Sequence, residues 1–207
     1  TQQYMIDVSK IDITGLIPIS IQMKVTNPNL WWPIGYGLQP LSTLIIQYDS
    51  PSEHIVHTKT IGFRHMKIIR ESIEGEIGLS FYFQINHIPI YVKGSNVIPF
   101  DAFHTRVSSY NITRILKSAL DSNANIIRIW GGGIYQNDIV YEFADKYGLM
   151  VWQEFTFACA MYPRNIDYLN NVRIEVIEQI RRLQHHVSIV IWGGNNENEA
   201  ALTWFSE

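Results

Sequence analysis

The sequence predicts a protein of two parts, an all-β segment followed by an α/β segment. Three observations lead there. Short strand-like runs at roughly ten-residue spacing fill the first third. Alternating strand and helix patterns fill the remainder, and each strand of that second part ends in polar or aromatic residues. The 207 residues are 46% hydrophobic and 17% charged, enough apolar material for a packed core and far from disordered composition. A formal net charge of −3 gives no electrostatic footprint for nucleic acid, and no apolar run is long enough to span a bilayer, so neither partner is expected. The single cysteine, Cys159, excludes an internal disulfide framework and a cysteine-based metal site. The opening "TQQYMIDVSK" carries no signal peptide pattern.

In "IPISIQMKVT", Ile19, Ile21, Met23 and Val25 alternate with Ser20, Gln22, Lys24 and Thr26, the period of a half-buried strand. "STLIIQYD" and "EHIVHTKTIGF" follow as two strands around the turn-prone Asp49-Ser50-Pro51, and "RHMKIIRES" and "LSFYFQIN" continue the series. Together they predict a small β-sandwich. "NPNLWWPIGYGL" lies among them as a loop too apolar to be a simple linker.

From Pro89 the rhythm changes. "IYVKGSN" reads as a strand, then "VSSYNITRILKSALDSN" as a helix with Ile112, Ile115, Leu116, Ala119 and Leu120 on one face. "ANIIRIWGGG" is the next strand and "NDIVYEFADKYG" the next helix, closed by Gly148. "LMVWQEF", "LNNVRIEVIEQIRRLQHH" and "SIVIW" give a strand, a helix and a strand, and Asn198 is placed to cap a last helix beginning at Glu199. Strands apolar throughout and alternating with helices predict a parallel sheet. Four such units suit an open doubly wound sheet or half of a (β/α)8 TIM barrel. Functional residue types at every strand end favour the barrel, which gathers its site from all strand ends, whereas an open sheet uses one switch point. A whole barrel takes about 250 residues, so the chain is expected to be a fragment.

These strand ends carry a resemblance. "FYFQINHIPIYVKGSNVIPFDAF", "IIRIWGGGIYQNDIVYEFADKYGLMVWQEFTFACAMYP" and "SIVIWGGNNENEAAL" resemble glycoside hydrolase family 2, and within it the animal lysosomal β-mannosidase type. "NPNLWWPIGYG" and "IGFRHMKIIRE" look like the immunoglobulin-like domain ahead of that family's barrel. The resemblance implies an immunoglobulin-like β-sandwich over residues 1–77 and the N-terminal half of a (β/α)8 catalytic barrel over 78–207. It implies a retaining exo-β-mannosidase, with the acid/base glutamate after the fourth barrel strand and the nucleophile after the seventh, beyond this chain. Two departures stand out: Val97 where members usually carry Trp, and Gly193 where they often carry Ser.

Of the two glutamates in "NNENE", Glu197 is the candidate acid/base. A general acid needs a raised pKa, which aromatic walls such as Trp130, Trp152 and Trp192 at the strand ends would favour. Glu199 falls in a first helical turn, where the dipole favours the charged form. By resemblance Asn196 bonds the sugar 2-hydroxyl and Trp130 lines the terminal mannose subsite. Asn96 and Trp152 are further substrate-binding candidates, and each could equally fill a barrel layer. Glu154 reads as a hydrogen-bonded support, and Trp31 and Trp32 as domain-interface packing or aglycone contacts. Gly131-Gly132-Gly133 lacks phosphate-loop spacing, and adjacent His185-His186 at a helix end does not form a metal pair.

No cofactor and no metal is expected. The implied partner is an oligosaccharide with terminal, non-reducing β-mannose, the implied location the lysosome, and no oligomeric state is specified. A sequon at Asn111-Ile112-Thr113 would matter in the secretory pathway. The alternatives are another family 2 glycosidase, a β-galactosidase or β-glucuronidase, or an inactive fragment that at most binds sugar.

Overall fold

The computed structural model describes residues 21–204. The upstream part contains β1 (Ser42–Asp49) and β2 (His54–Ile61), paired as an antiparallel hairpin, and β3 (Met66–Ile69), β4 (Tyr82–Ile85) and β5 (Ile88–Ile90) in a second antiparallel sheet. Ile45, Ile46, Ile55 and Val56 are all about half exposed, so neighbouring positions on both faces of the hairpin meet water. The first expected strand is corrected: residues 21–25 form none and are exposed, while Ile19 lies outside the described residues. The β3–β4 pairing runs across position 77/78, where the sequence suggests a domain division.

The second part is a four-stranded parallel sheet in chain order, formed by β6 (Gly94–Val97), β7 (Ile126–Ile129), β8 (Met150–Glu154) and β9 (Ile189–Gly193). The segment "IYVKGSN" divides where one strand was expected, because Ile88–Ile90 pairs back on β4. Asn125 then holds the chain in place: its Oδ1 accepts from Lys93 N at 2.8 Å and its Nδ2 donates to Tyr91 O at 2.9 Å.

Helices α1 (Ser109–Asp121), α2 (Asp138–Tyr147) and α3 (Ile166–Leu183) connect the strands, and α4 (Asn198–Ala201) follows β9. Ser108, Asn137 and Asn165 cap the three longer helices with side-chain oxygens that accept backbone N–H groups of the first turn. Helix α2 ends at Gly148, whose φ of 76° is a conformation that side chains resist. One face of the sheet buries Ile127, Ile129, Val151 and Ile189 against Ile112, Leu116, Val140 and Tyr141 of the helices. Ile115, expected on that face, is 37% exposed.

The opposite face is covered at its amino end by upstream residues. Phe83, Ile85 and Ile90 of the β4–β5 hairpin and Trp31 pack against Ile126, Met150 and Val190. Trp31 is fully buried and its indole Nε1 donates to Asp145 O at 2.7 Å. Arg64 adds a second tie, donating from Nε to Val187 O at 2.7 Å and from Nη2 to Ile189 O. Burial pulls the Arg64 guanidinium below its ordinary pKa, and Asp145 opposes that shift. The β8–β9 register shifts once, from Val151↔Ile189 to Trp152↔Ile191, so β9 carries one extra residue.

Candidate functional site

The parallel register places Asn96 beside Arg128 and Arg128 beside Trp152 on the sheet face away from the main helix-packed core. Arg128 is the hub of that face. Its Nε donates to Glu154 Oε1 at 2.8 Å, Nη1 to Asn96 Oδ1 at 3.0 Å and Nη2 to Asn196 Oδ1 at 2.7 Å. Its guanidinium lies over the Trp152 ring, 5.4 Å from the centroid. Glu154 is 2% exposed, and its other oxygen accepts from Gly131 N at 2.8 Å. Both carboxylate oxygens are thus occupied by donors, as a buried charge requires. Trp152 presents a buried Nε1–H with no acceptor among the described residues. A Cβ at position 193 would stand 2.8 Å from Glu154 Cγ and 2.9 Å from that Nε1, so glycine there lets both side chains close in.

A cleft of about 480 Å³ runs along this face, lined by Tyr91, Asn96, Ile126, Arg128 and Trp152 among others. It does not reach Asn196 or Glu197, which sit on the loop beyond β9. That loop is tied to the one beyond β8. Phe155 N donates to Gly193 O, Asn196 N to Phe157 O at 2.8 Å, and Cys159 N to Asn196 O at 2.9 Å. Asn196 is buried and Glu197 exposed. Glu197 has φ 58° and Cys159 φ 52°, both left-handed without being glycine. Cys159 Sγ lies 3.6 Å from Glu197 Oε2 and 3.4 Å from Asn196 Nδ2.

The structure therefore brings Asn96, Trp152 and Asn196 together around Arg128 and links Glu197 to them through Cys159. Trp130 stands apart from the hub, its indole folded over Gly132, where an added Cβ would be 1.9 Å from the ring. Trp192, expected as a wall beside Glu197, is corrected: it packs toward the helix-side core and stacks on Phe155 at 5.5 Å. The extra β9 residue is the cause, since it pairs Gly193, not Trp192, with Glu154. The last helix starts one residue earlier than expected, at Asn198, whose N–H is held by Asn195 Oδ1 at 3.1 Å. Glu199 lies in its first turn, exposed, and accepts from Asn195 Nδ2 at 3.3 Å. Trp31 is buried packing, and Trp204 is half exposed. Sequence reasoning gave no role to Arg128, although an arginine inside the apolar run "IIRIW" was the available signal. It gave none to Cys159 either, whose position depends on a loop pairing that no local pattern announces.

A β-mannosidase of Bos taurus is 47% identical over 174 residues, 83% of this chain and 20% of that protein. One of Rattus norvegicus is 48% identical over 191 residues, covering 90% of this chain and 22% of the relative. This chain is similar to a segment of the β-mannosidases. The crystal structure of a β-D-mannosidase from Dictyoglomus thermophilum superposes with a TM-score of 0.80 at 43% identity, covering 84% of this chain and 22% of that one. The chain spans about a fifth of the length of the curated relatives it matches. No family model matches it. Among the described residues no helix is long and apolar enough to cross a membrane.

Proposed function

We propose that this chain forms part of a retaining exo-β-mannosidase that removes terminal, non-reducing β-D-mannose from oligosaccharides such as N-glycans. The observation that carries the reading is the 47% identity to a curated β-mannosidase across 83% of the chain. In this reading residues 1–77 belong to an immunoglobulin-like domain and 78–207 to the first half of a (β/α)8 catalytic barrel, supported by the 0.80 TM-score to a solved β-D-mannosidase. In the same reading the protein acts in the lysosome. Asn196 bonds the sugar 2-hydroxyl, Trp130 lines the terminal mannose subsite, and Asn96 and Trp152 contact substrate or shape its pocket. Nothing in the chemistry calls for a cofactor.

Retaining hydrolysis needs two carboxyl groups about 5–5.5 Å apart across the scissile bond. Glu197 protonates the departing oxygen and then activates water. Its partner, the nucleophile, comes from outside these 207 residues. Glu154 serves as a support in this reading, its oxygens bonded by Arg128 and the Gly131 N–H. The cleft along Asn96, Arg128 and Trp152 offers aromatic surface, the Asn96 amide and a guanidinium, a mixture that suits a pyranose ring.

The test uses the full-length protein that carries this segment. Glu197→Ala is expected to abolish hydrolysis of poor leaving groups, while azide, which intercepts the glycosyl-enzyme, speeds its turnover of an activated aryl mannoside; Glu199→Ala is expected to leave activity near wild type. Loss in the second variant with retention in the first would reverse the assignment. A preference for nitrophenyl galactoside or glucuronide over mannoside would move the activity within the glycosidase class. The 207-residue chain alone is expected to be inactive.

A further inference from the structure

We propose that Cys159 is a positioning residue for Glu197, holding the carboxyl group through its thiol. The proposal rests on the reading of Glu197 as acid/base. The donor order follows from the contacts. Arg128 Nη2 donates to Asn196 Oδ1 at 2.7 Å, which fixes the amide so that Nδ2 faces the sulfur. Asn196 Nδ2 donates to Cys159 Sγ at 3.4 Å. The sulfur therefore accepts on that side, and its own hydrogen points to Glu197 Oε2, 3.6 Å away.

The backbone independently supports the same pairing. Cys159 and Glu197 both hold left-handed φ values that β-carbon-bearing residues avoid, a conformation that persists where surrounding contacts over-determine it. Those contacts are present as reciprocal bonds between the two loops: Asn196 N to Phe157 O at 2.8 Å and Cys159 N to Asn196 O at 2.9 Å. Two residues of one loop, Phe157 and Cys159, thus grip Asn196 ahead of Glu197, and the Cys159 thiol meets the Glu197 side chain. Glu197 makes no side-chain cap bond to its own helix, so the thiol is the hydrogen-bond partner described for its carboxylate. A flexible glutamate at an exposed rim needs such a tether, because acid catalysis is steeply sensitive to where the proton sits.

The experiment measures kcat/KM of the full-length protein on an unactivated mannosyl disaccharide and on 2,4-dinitrophenyl β-mannoside, in Cys159→Ala, Cys159→Ser and Glu197→Ala. The dinitrophenolate leaves without protonation, so only the disaccharide reads the acid. Cys159→Ala is expected to lose about tenfold on the disaccharide and less than about twofold on the activated substrate, a fraction of the full acid effect. Cys159→Ser, which keeps a donor, is expected to recover most of that loss. Equal loss on both substrates would mean a structural role only and overturn the proposal, as would no loss on either. If Glu197→Ala shows the leaving-group dependence and Cys159→Ala does not, the tether alone fails. If Glu197→Ala shows none, the acid/base reading itself fails and takes the tether with it.

Discussion

Replacing Arg128 by Met keeps a stem of similar shape and removes the charge that Glu154 is built around. Glu154 is 2% exposed and is bonded by Arg128 on one oxygen and Gly131 N–H on the other. Leaving a buried carboxylate without its charged partner costs about 3–5 kcal/mol. Arg128→Met should therefore destabilise by about that amount. Tryptophan fluorescence in a urea titration at pH 7 reads the loss. The double variant Arg128→Met with Glu154→Gln removes the stranded charge and keeps an acceptor for Gly131, so most of the stability should return at pH 7. A single variant as stable as wild type, or a double variant no better than the single one, would refute the buried-charge argument.

Trp31→Ala empties a fully buried site and strands the carbonyl of Asp145, so a loss of about 3–5 kcal/mol is expected in the same titration. Gly148→Ala forces a methyl into φ 76° and to within 2.6 Å of Ile34 N; the left-handed conformation alone costs about 1–2 kcal/mol, read as a lowered Tm. Burial, aided by His186 and Lys59, pushes the His185 pKa from 6.5 down to about 4, while Asp145 resists. Between those values the folded form binds fewer protons than the unfolded chain, so the stability His185 confers is complete above pH 6.5 and is lost as pH falls through about 4. His185→Gln should flatten that slope in a pH series of melts; an unchanged slope would remove the assignment.

Much of the α/β part was legible because its signals are local. Asn137 before "DIVYEF" and Gly148 after it bracket α2, and the largely apolar runs of β7 to β9, alternating with helices, announce a parallel sheet. The upstream part was less legible. Alternation at Ile21, Met23 and Val25 describes what a strand would look like, yet these residues are exposed and unpaired into any strand. Pairing partners decide that, and alternation does not name them. "IYVKGSN" failed for the same reason, since Ile90 answers to β4 and Gly94 to β7. At the site, the position of Asn196 and Glu197 after a strand could be read directly. The direction of Trp192 could not, because it depends on a shifted register with β8.

That shift makes β9 respond unequally to changes of length. Deleting Val190 would leave Ile191 opposite Trp152 and Gly193 opposite Glu154, so the loop that follows keeps its place. Inserting one residue between Ile191 and Trp192 would instead bring Trp192 opposite Glu154 in place of Gly193, driving an indole into the gap that Glu154 and Trp152 share.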